Sequence, residues 1–136
     1  MSYATIRKLL ETRLNAVSPS IKTGFENSPV KPTVGVPYQR VTLMPADTES
    51  PTLPAGGFRR EMGYLQVDLA YPENAGAAAA VERAEAIRSQ FPRALVLVEG
   101  GVRVYFDREV SLGRGYNEGG FYRLPVFVYY RADVTN

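Results

Sequence analysis

From Phe58 to Tyr71 the chain alternates. Leu65, Val67, Leu69 and Tyr71 fall on one side of an extended backbone, and Tyr64, Gln66 and Asp68 on the other. A period of two belongs to a β-strand. A strand this long is stable in water only with hydrogen-bonding neighbours and a cover for its apolar side. Met62-Gly63 interrupts the alternation and is the expected place of a bulge. The same period returns over Phe121 to Asp133, where Val126, Val128 and Tyr130 oppose Phe127 and Tyr129. Here both sides are largely apolar, which predicts a strand buried on both faces or used in an interface.

Two segments of helical period can supply the cover. Ser2 is placed to cap a helix over Tyr3 to Ala16, with Ile6, Leu9, Leu10, Leu14 and Val17 in one stripe and Pro19 at its exit. Asn74 is placed to cap a second helix, Ala75 to Phe91, with Ala77, Ala80, Val81, Ala84, Ile87 and Phe91 inward. Glu82, Arg83, Glu85 and Arg88 are expected to point outward. Shorter strands are predicted at Ile21–Glu26 and Val36–Met44, and a hairpin joins Ala94–Glu99 to Val102–Val110 through Gly100-Gly101. The order is α-β-β-β-α-β-β-β. It reads as α+β: a mainly antiparallel sheet of five to six strands with two helices packed on one face, in one domain over 1–136.

Two connections are too long for simple turns. Pro45 to Gly57 has neither helical nor strand period; it is either a hairpin connection or an arm that orders against a partner. Ser111 to Gly120 carries Gly113, Gly115, Gly119 and Gly120 and reads as irregular. Its glycines do not make a phosphate loop, because no Gly-Lys-Ser/Thr is present and a strand follows instead of a helix N-terminus.

Composition removes whole classes of chemistry. The chain has no Cys, His or Trp. There is thus no disulfide frame, thiolate nucleophile, imidazole base or His- or Cys-ligated metal. Glu99, Asp107 and Glu109 share the predicted hairpin, but Glu99 sits by its turn, far from the other two, so the carboxylates do not converge. The net charge of +2 is spread from Arg7 to Arg131, with no basic face of the kind nucleic-acid binders concentrate. Arg123 and Arg131 do share alternation with Phe127 and Tyr129, which leaves a stacking platform for single-stranded nucleic acid open as a rival reading. No apolar run approaches a membrane span, and the first residues lack a signal-peptide core, so the expectation is a protein used inside a cell or exported within a larger assembly.

A more specific reading comes from a resemblance. The run Gly63-Tyr64-Leu65-Gln66-Val67-Asp68-Leu69-Ala70-Tyr71-Pro72, then Gly76 and an Ala-rich helix ending Ile87-Arg88-Ser89-Gln90-Phe91, then a hairpin and the close Phe121-Tyr122-Arg123-Leu124-Pro125-Val126-Phe127-Val128-Tyr129-Tyr130-Arg131-Ala132 resembles the small, lambda-type tail terminator (tail completion) proteins of long-tailed bacteriophages. The resemblance implies a non-enzymatic virion protein without cofactor, made in the bacterial host cytoplasm. It implies a hexameric ring that caps the head-proximal end of the tail tube, stops tube polymerisation and offers the head-joining surface. The implied partners are further copies of the chain, the tail tube protein and a head–tail connector or neck protein, with DNA passing through unbound. A compact chain of this length is about 37 Å across, so six in a ring leave a hole about one subunit wide, broader than a DNA duplex. Ring or tube contacts are expected from the two long connections and their flanks: Asp47, Thr48, Glu49, Pro51, Arg59 and Arg60, and Gly113, Arg114 and Tyr116. The arginines are equally readable as plain solubility. Rival readings are a neck or adaptor protein, a tube protein, a nucleic-acid module, or an enzyme using the hairpin carboxylates.

Overall fold

The computed structural model describes residues 2–17, 20–26, 31–49, 58–73 and 76–135. The element order is α1 (Ser2–Asn15), β1 (Lys22–Gly24), β2 (Tyr38–Glu49), β3 (Phe58–Pro72), α2 (Ala78–Gln90), β4 (Val96–Glu99), β5 (Val102–Tyr105), β6 (Ser111–Leu112), β7 (Tyr116–Glu118) and β8 (Phe121–Thr135). One sheet runs β1-β2-β3-β8-β5-β4, with β6 and β7 also paired to β8. Every pairing is antiparallel except β1 with β2. The α+β reading holds in its outline; among the described residues eight strands replace the five to six expected, and the order changes accordingly.

The two long strands form the spine. β3 and β8 pair without a register shift from Phe58↔Thr135 to Pro72↔Phe121. Leu65, Val67 and Leu69 meet Val128, Val126 and Leu124 across the ladder, all buried. Above this row lie Ile6, Leu10 and Leu14 of α1 and Ala80, Ala84 and Ile87 of α2. Both helices therefore pack on one face. The alanines of α2 let its axis come close to β3 and β8, as their size suggested. The helices are braced at their C-terminal ends. Arg13 Nε donates to the carbonyl of Gln90 at 2.9 Å, and Gln90 Nε2 donates to the carbonyl of Arg13 at 2.9 Å. Each side chain bonds a carbonyl in the last turn of the other helix, where the intrahelical ladder runs out.

Several expectations change. The α1 helix already includes Ser2, the expected cap. The second helix starts at Ala78 and not at Ala75, because Gly76 has φ +79°, outside helical geometry; the expected cap, Asn74, lies outside the described residues. Arg83 is 5% exposed and not outward. It stands three residues after Ala80 and four before Ile87, so its stem falls within the buried arc. Burial pulls its guanidinium pKa down, with Tyr71 opposing. The irregularity expected at Met62-Gly63 sits on the facing strand, where the register shifts between Pro45 and Asp47. The second arm of the hairpin ends at Tyr105 and not at Val110. Its turn takes positive φ at Gly100.

The β2 edge of the sheet is closed in a specific way. β1 covers only Tyr38 to Arg40. Beyond it, Glu26 Oε1 accepts the Leu43 N–H at 2.9 Å and lies 2.8 Å from Arg7 Nη2. The Leu43 N–H and Arg7 together hold the Glu26 carboxyl below its ordinary pKa. Pro45, which has no N–H, follows. A carboxylate plug, a proline and a bulge are recognised ways to deny an edge to a foreign strand.

Candidate assembly surface

The other face of the sheet carries no helix among the described residues. Side chains reach it from alternate positions: Met44 on β2, Met62, Tyr64 and Gln66 on β3, Phe127, Tyr129 and Arg131 on β8, and Tyr105 on β5. Three rings form its centre. Tyr64 stands edge-on to Phe127 at 5.6 Å between centroids and 5.8 Å from Tyr129. The double-sided apolar character of the last strand thus has two destinations: Val126, Val128 and Tyr130 in the core, Phe127 and Tyr129 on this half-buried face.

Arginines border the rings. Arg60 Nε donates to Asp133 at 2.9 Å. Arg131 donates to Asp107 through Nε at 2.6 Å and to Asp133 through Nη1 at 3.4 Å. The Arg108 guanidinium lies over the Tyr129 ring at 3.8 Å. Next to it, Met62, Tyr64, Asp107 and Tyr129 help line a cleft of about 310 Å³. The Arg131 hydrogen bond holds the Asp107 carboxyl below the usual range. The ion pair therefore contributes above the unfolded carboxyl pKa of about 3.9, and its contribution is lost as pH falls through the lower folded value. Asp107 is largely exposed, so Asp107→Asn should cost under about 1 kcal/mol at pH 7. Denaturation midpoints should show that gap narrowing as pH falls below the unfolded carboxyl pKa; a gap that widens in acid would contradict the assignment.

The nine residues expected at contacts split into two groups. Asp47, Thr48 and Glu49 are not in a loop: past the bulge, β2 continues, and they pair with Met62, Glu61 and Arg60. Pro51 lies outside the described residues. Arg59 is 2.8 Å from Glu61, itself buried, and Arg60 is bonded to Asp133. These gather at one end of the β3–β8 ladder. Gly113, Arg114 and Tyr116 lie towards the other end. Their segment is irregular only in part, with short strands on either side of Gly113 to Gly115. Ser111 and Leu112 pair with Phe127 and Val126, and Tyr116 with Arg123. The Gly113 N–H donates to the Pro125 carbonyl at 2.8 Å. A Cβ at Gly113 would come within 2.7 Å of Pro125, and one at Gly115 would overlap the Tyr122 hydroxyl. Both glycines let the segment lie flat on β8. Tyr116 and Arg114 are exposed. Between Asp133 and Arg123 lie ten positions of β8, about 33 Å at ~3.3 Å per residue.

The rival chemistry finds little footing. Glu99 pairs with Lys8 at 3.1 Å and Asp107 with Arg131 at 2.6 Å. Among the described residues no group of three or more metal-ligating side chains forms, and no helix is long and apolar enough to cross a membrane. Arg108 is the residue that sequence reasoning missed. It lies in no strand, and only the turn after β5 brings it back over Tyr129.

No curated protein matches the chain. A solved structure identified by a sequence number alone is similar to it at 28% identity, with a TM-score of 0.76, covering 100% of this chain and 97% of that one. A family model described as phage tail terminator protein matches residues 5–130. That match takes in α2, β3, nearly all of α1 and most of β8, and the chain therefore belongs to the phage tail terminator protein family, whose members are structural, non-enzymatic proteins of the virion tail.

Proposed function

We propose that this tail protein assembles as a ring, six copies by resemblance, on the head-proximal end of the tail tube. There it ends tube growth and gives the head–tail connector or neck protein its docking surface, with DNA passing through the hole. The observation that supports the reading is the uncovered sheet face. It has three mutually packed rings, a cleft and bordering arginines, and no described helix to cover it. Half-buried aromatic and arginine side chains of this kind are enriched where proteins meet proteins. Asp47, Thr48, Glu49, Pro51, Arg59, Arg60, Gly113, Arg114 and Tyr116 are proposed as ring or tube contacts. A closed ring needs two different contact surfaces on each subunit, and the two groups stand at opposite ends of β8.

Electron microscopy of the purified protein, alone and with tail tubes, tests this. A terminator gives single rings, each seated on one end of a tube. Long stacks of rings would make it a tube protein, and binding along tube walls or to connectors alone would make it an adaptor.

A further inference from the structure

Two features of the uncovered face fit each other. The first is a knob. Tyr116 is 50% exposed, one of the few large apolar side chains so open. Glu118, two positions on, projects to the same side, its side chain 71% exposed and only loosely paired with Arg123 at 3.6 Å. The close seating at Gly113 and Gly115 fixes the segment on β8, so the knob is held before any partner arrives. The second feature is the cleft beside Tyr129. Met62, Tyr64 and Tyr129 give it apolar and aromatic walls, and Asp107, Arg108 and Arg131 line it with them. At its rim the Arg108 guanidinium lies over the Tyr129 ring at 3.8 Å, and among the described residues no acceptor is bonded to it. A guanidinium stacked this way keeps its edge donors for a carboxylate.

We infer that the cleft receives the Tyr116–Glu118 knob of a second copy, with Tyr116 entering against Met62, Tyr64 and Tyr129 and Glu118 bonding Arg108. The inference rests on the ring reading and specifies its subunit contact. The charged groups at the cleft are Arg108 and the Arg131–Asp107 ion pair, a balance of one positive charge that the single carboxylate of the knob matches. Within one chain the two parts cannot meet. Tyr116 is opposite Arg123, six positions of β8 from Tyr129, about 20 Å at ~3.3 Å per residue. Each copy can therefore give a knob to one neighbour and take one from another, as a head-to-tail ring requires.

The test is a charge swap on exposed residues, read by native mass spectrometry and negative-stain imaging of the full chain with and without tail tubes. Far-UV circular dichroism confirms that each variant is folded. Glu118→Arg and Arg108→Glu should each abolish rings, and the two together in one chain should restore them. Tyr116→Ala should raise the concentration for half-assembly by about thirtyfold or more, the size of an interface hot spot. Rings that persist in both charge variants overturn the contact and leave the ring reading standing; loss of tubes or of duplex DNA from Arg108→Glu would then assign the cleft to that partner. Failure of the swap to restore rings also overturns the pairing. Wild-type dimers in place of rings, with the same loss and rescue, keep the contact and overturn the ring. A wild-type protein that stays monomeric at every concentration and on tubes overturns both.

Discussion

Gly63→Ala should destabilise the protein by about 3 kcal/mol, at the upper end of ordinary overpacking. The backbone at Gly63 is plain extended strand, so the cost lies in contact and not in conformation. A Cβ there would run into the Met44 carbonyl oxygen, and would stand 2.9 Å from the Tyr130 hydroxyl and 3.0 Å from the Pro45 Cα. Two of those three atoms are backbone of β2 at the bulge, where no side-chain rotation gives relief. The third can yield. The Tyr130 hydroxyl is buried with no hydrogen-bond partner among the described residues, and burial pushes its pKa up to about 12. Tyr130→Phe alone should be neutral or slightly stabilising, since it removes an unpaired buried polar group. Combined with Gly63→Ala it should recover a part, and only a part, of the loss, a coupling of about 0.5 kcal/mol or more. Urea denaturation of the four proteins reads this directly. A Gly63→Ala midpoint indistinguishable from wild type would show that β2 moves aside freely, and would remove the reason for a glycine in the middle of the spine.

Phe91→Ala should cost about 3–5 kcal/mol, the range for emptying a large aromatic site. Phe91 caps the C-terminus of α2, and its N–H bonds to the carbonyls of Ile87 and Arg88. Its ring is 1% exposed and packs on Phe106, just past β5, at 5.3 Å between centroids. The pair fastens the end of the helix to the hairpin side of the sheet. For a domain whose whole stability is about 5–15 kcal/mol, the loss is about a fifth of the total or more. Phe91→Leu should keep most of it. Guanidinium denaturation checks both variants, and a Phe91→Ala cost below about 1 kcal/mol would mean that the ring is not part of the core.

What the chain revealed before folding follows from how local each signal is. The stripes Ile6–Leu10–Leu14 and Ala80–Ala84–Ile87 are written in periods of three and four, and they land in the core. The alternation of Leu65, Val67 and Leu69 is equally local. The two short strands after Val110 were invisible because their reason lies elsewhere. Gly113 and Gly115 look like freedom in the sequence and are close approach in the structure, set by Pro125 and Tyr122. Pro45 argued for a loop, yet past β1 the outer edge of β2 asks nothing of its missing N–H. Of the assembly surface, the doubled apolar character of Phe121 to Asp133 was legible in full. The Arg108 stack on Tyr129 was not, because it joins residues from different elements across a turn.

The two edges of β8 are built on different scales. One is a single unbroken ladder with β3, and the other is shared by β7 at Phe121 to Arg123, β6 at Val126 and Phe127, and β5 at Arg131 to Val134. In an antiparallel sheet successive residues direct their backbone groups to opposite neighbours. Adjacent amides of β8 therefore keep different time. One is locked for as long as the whole spine survives. The next is released whenever its own short strand lifts, a local opening that leaves the rest of the fold in place.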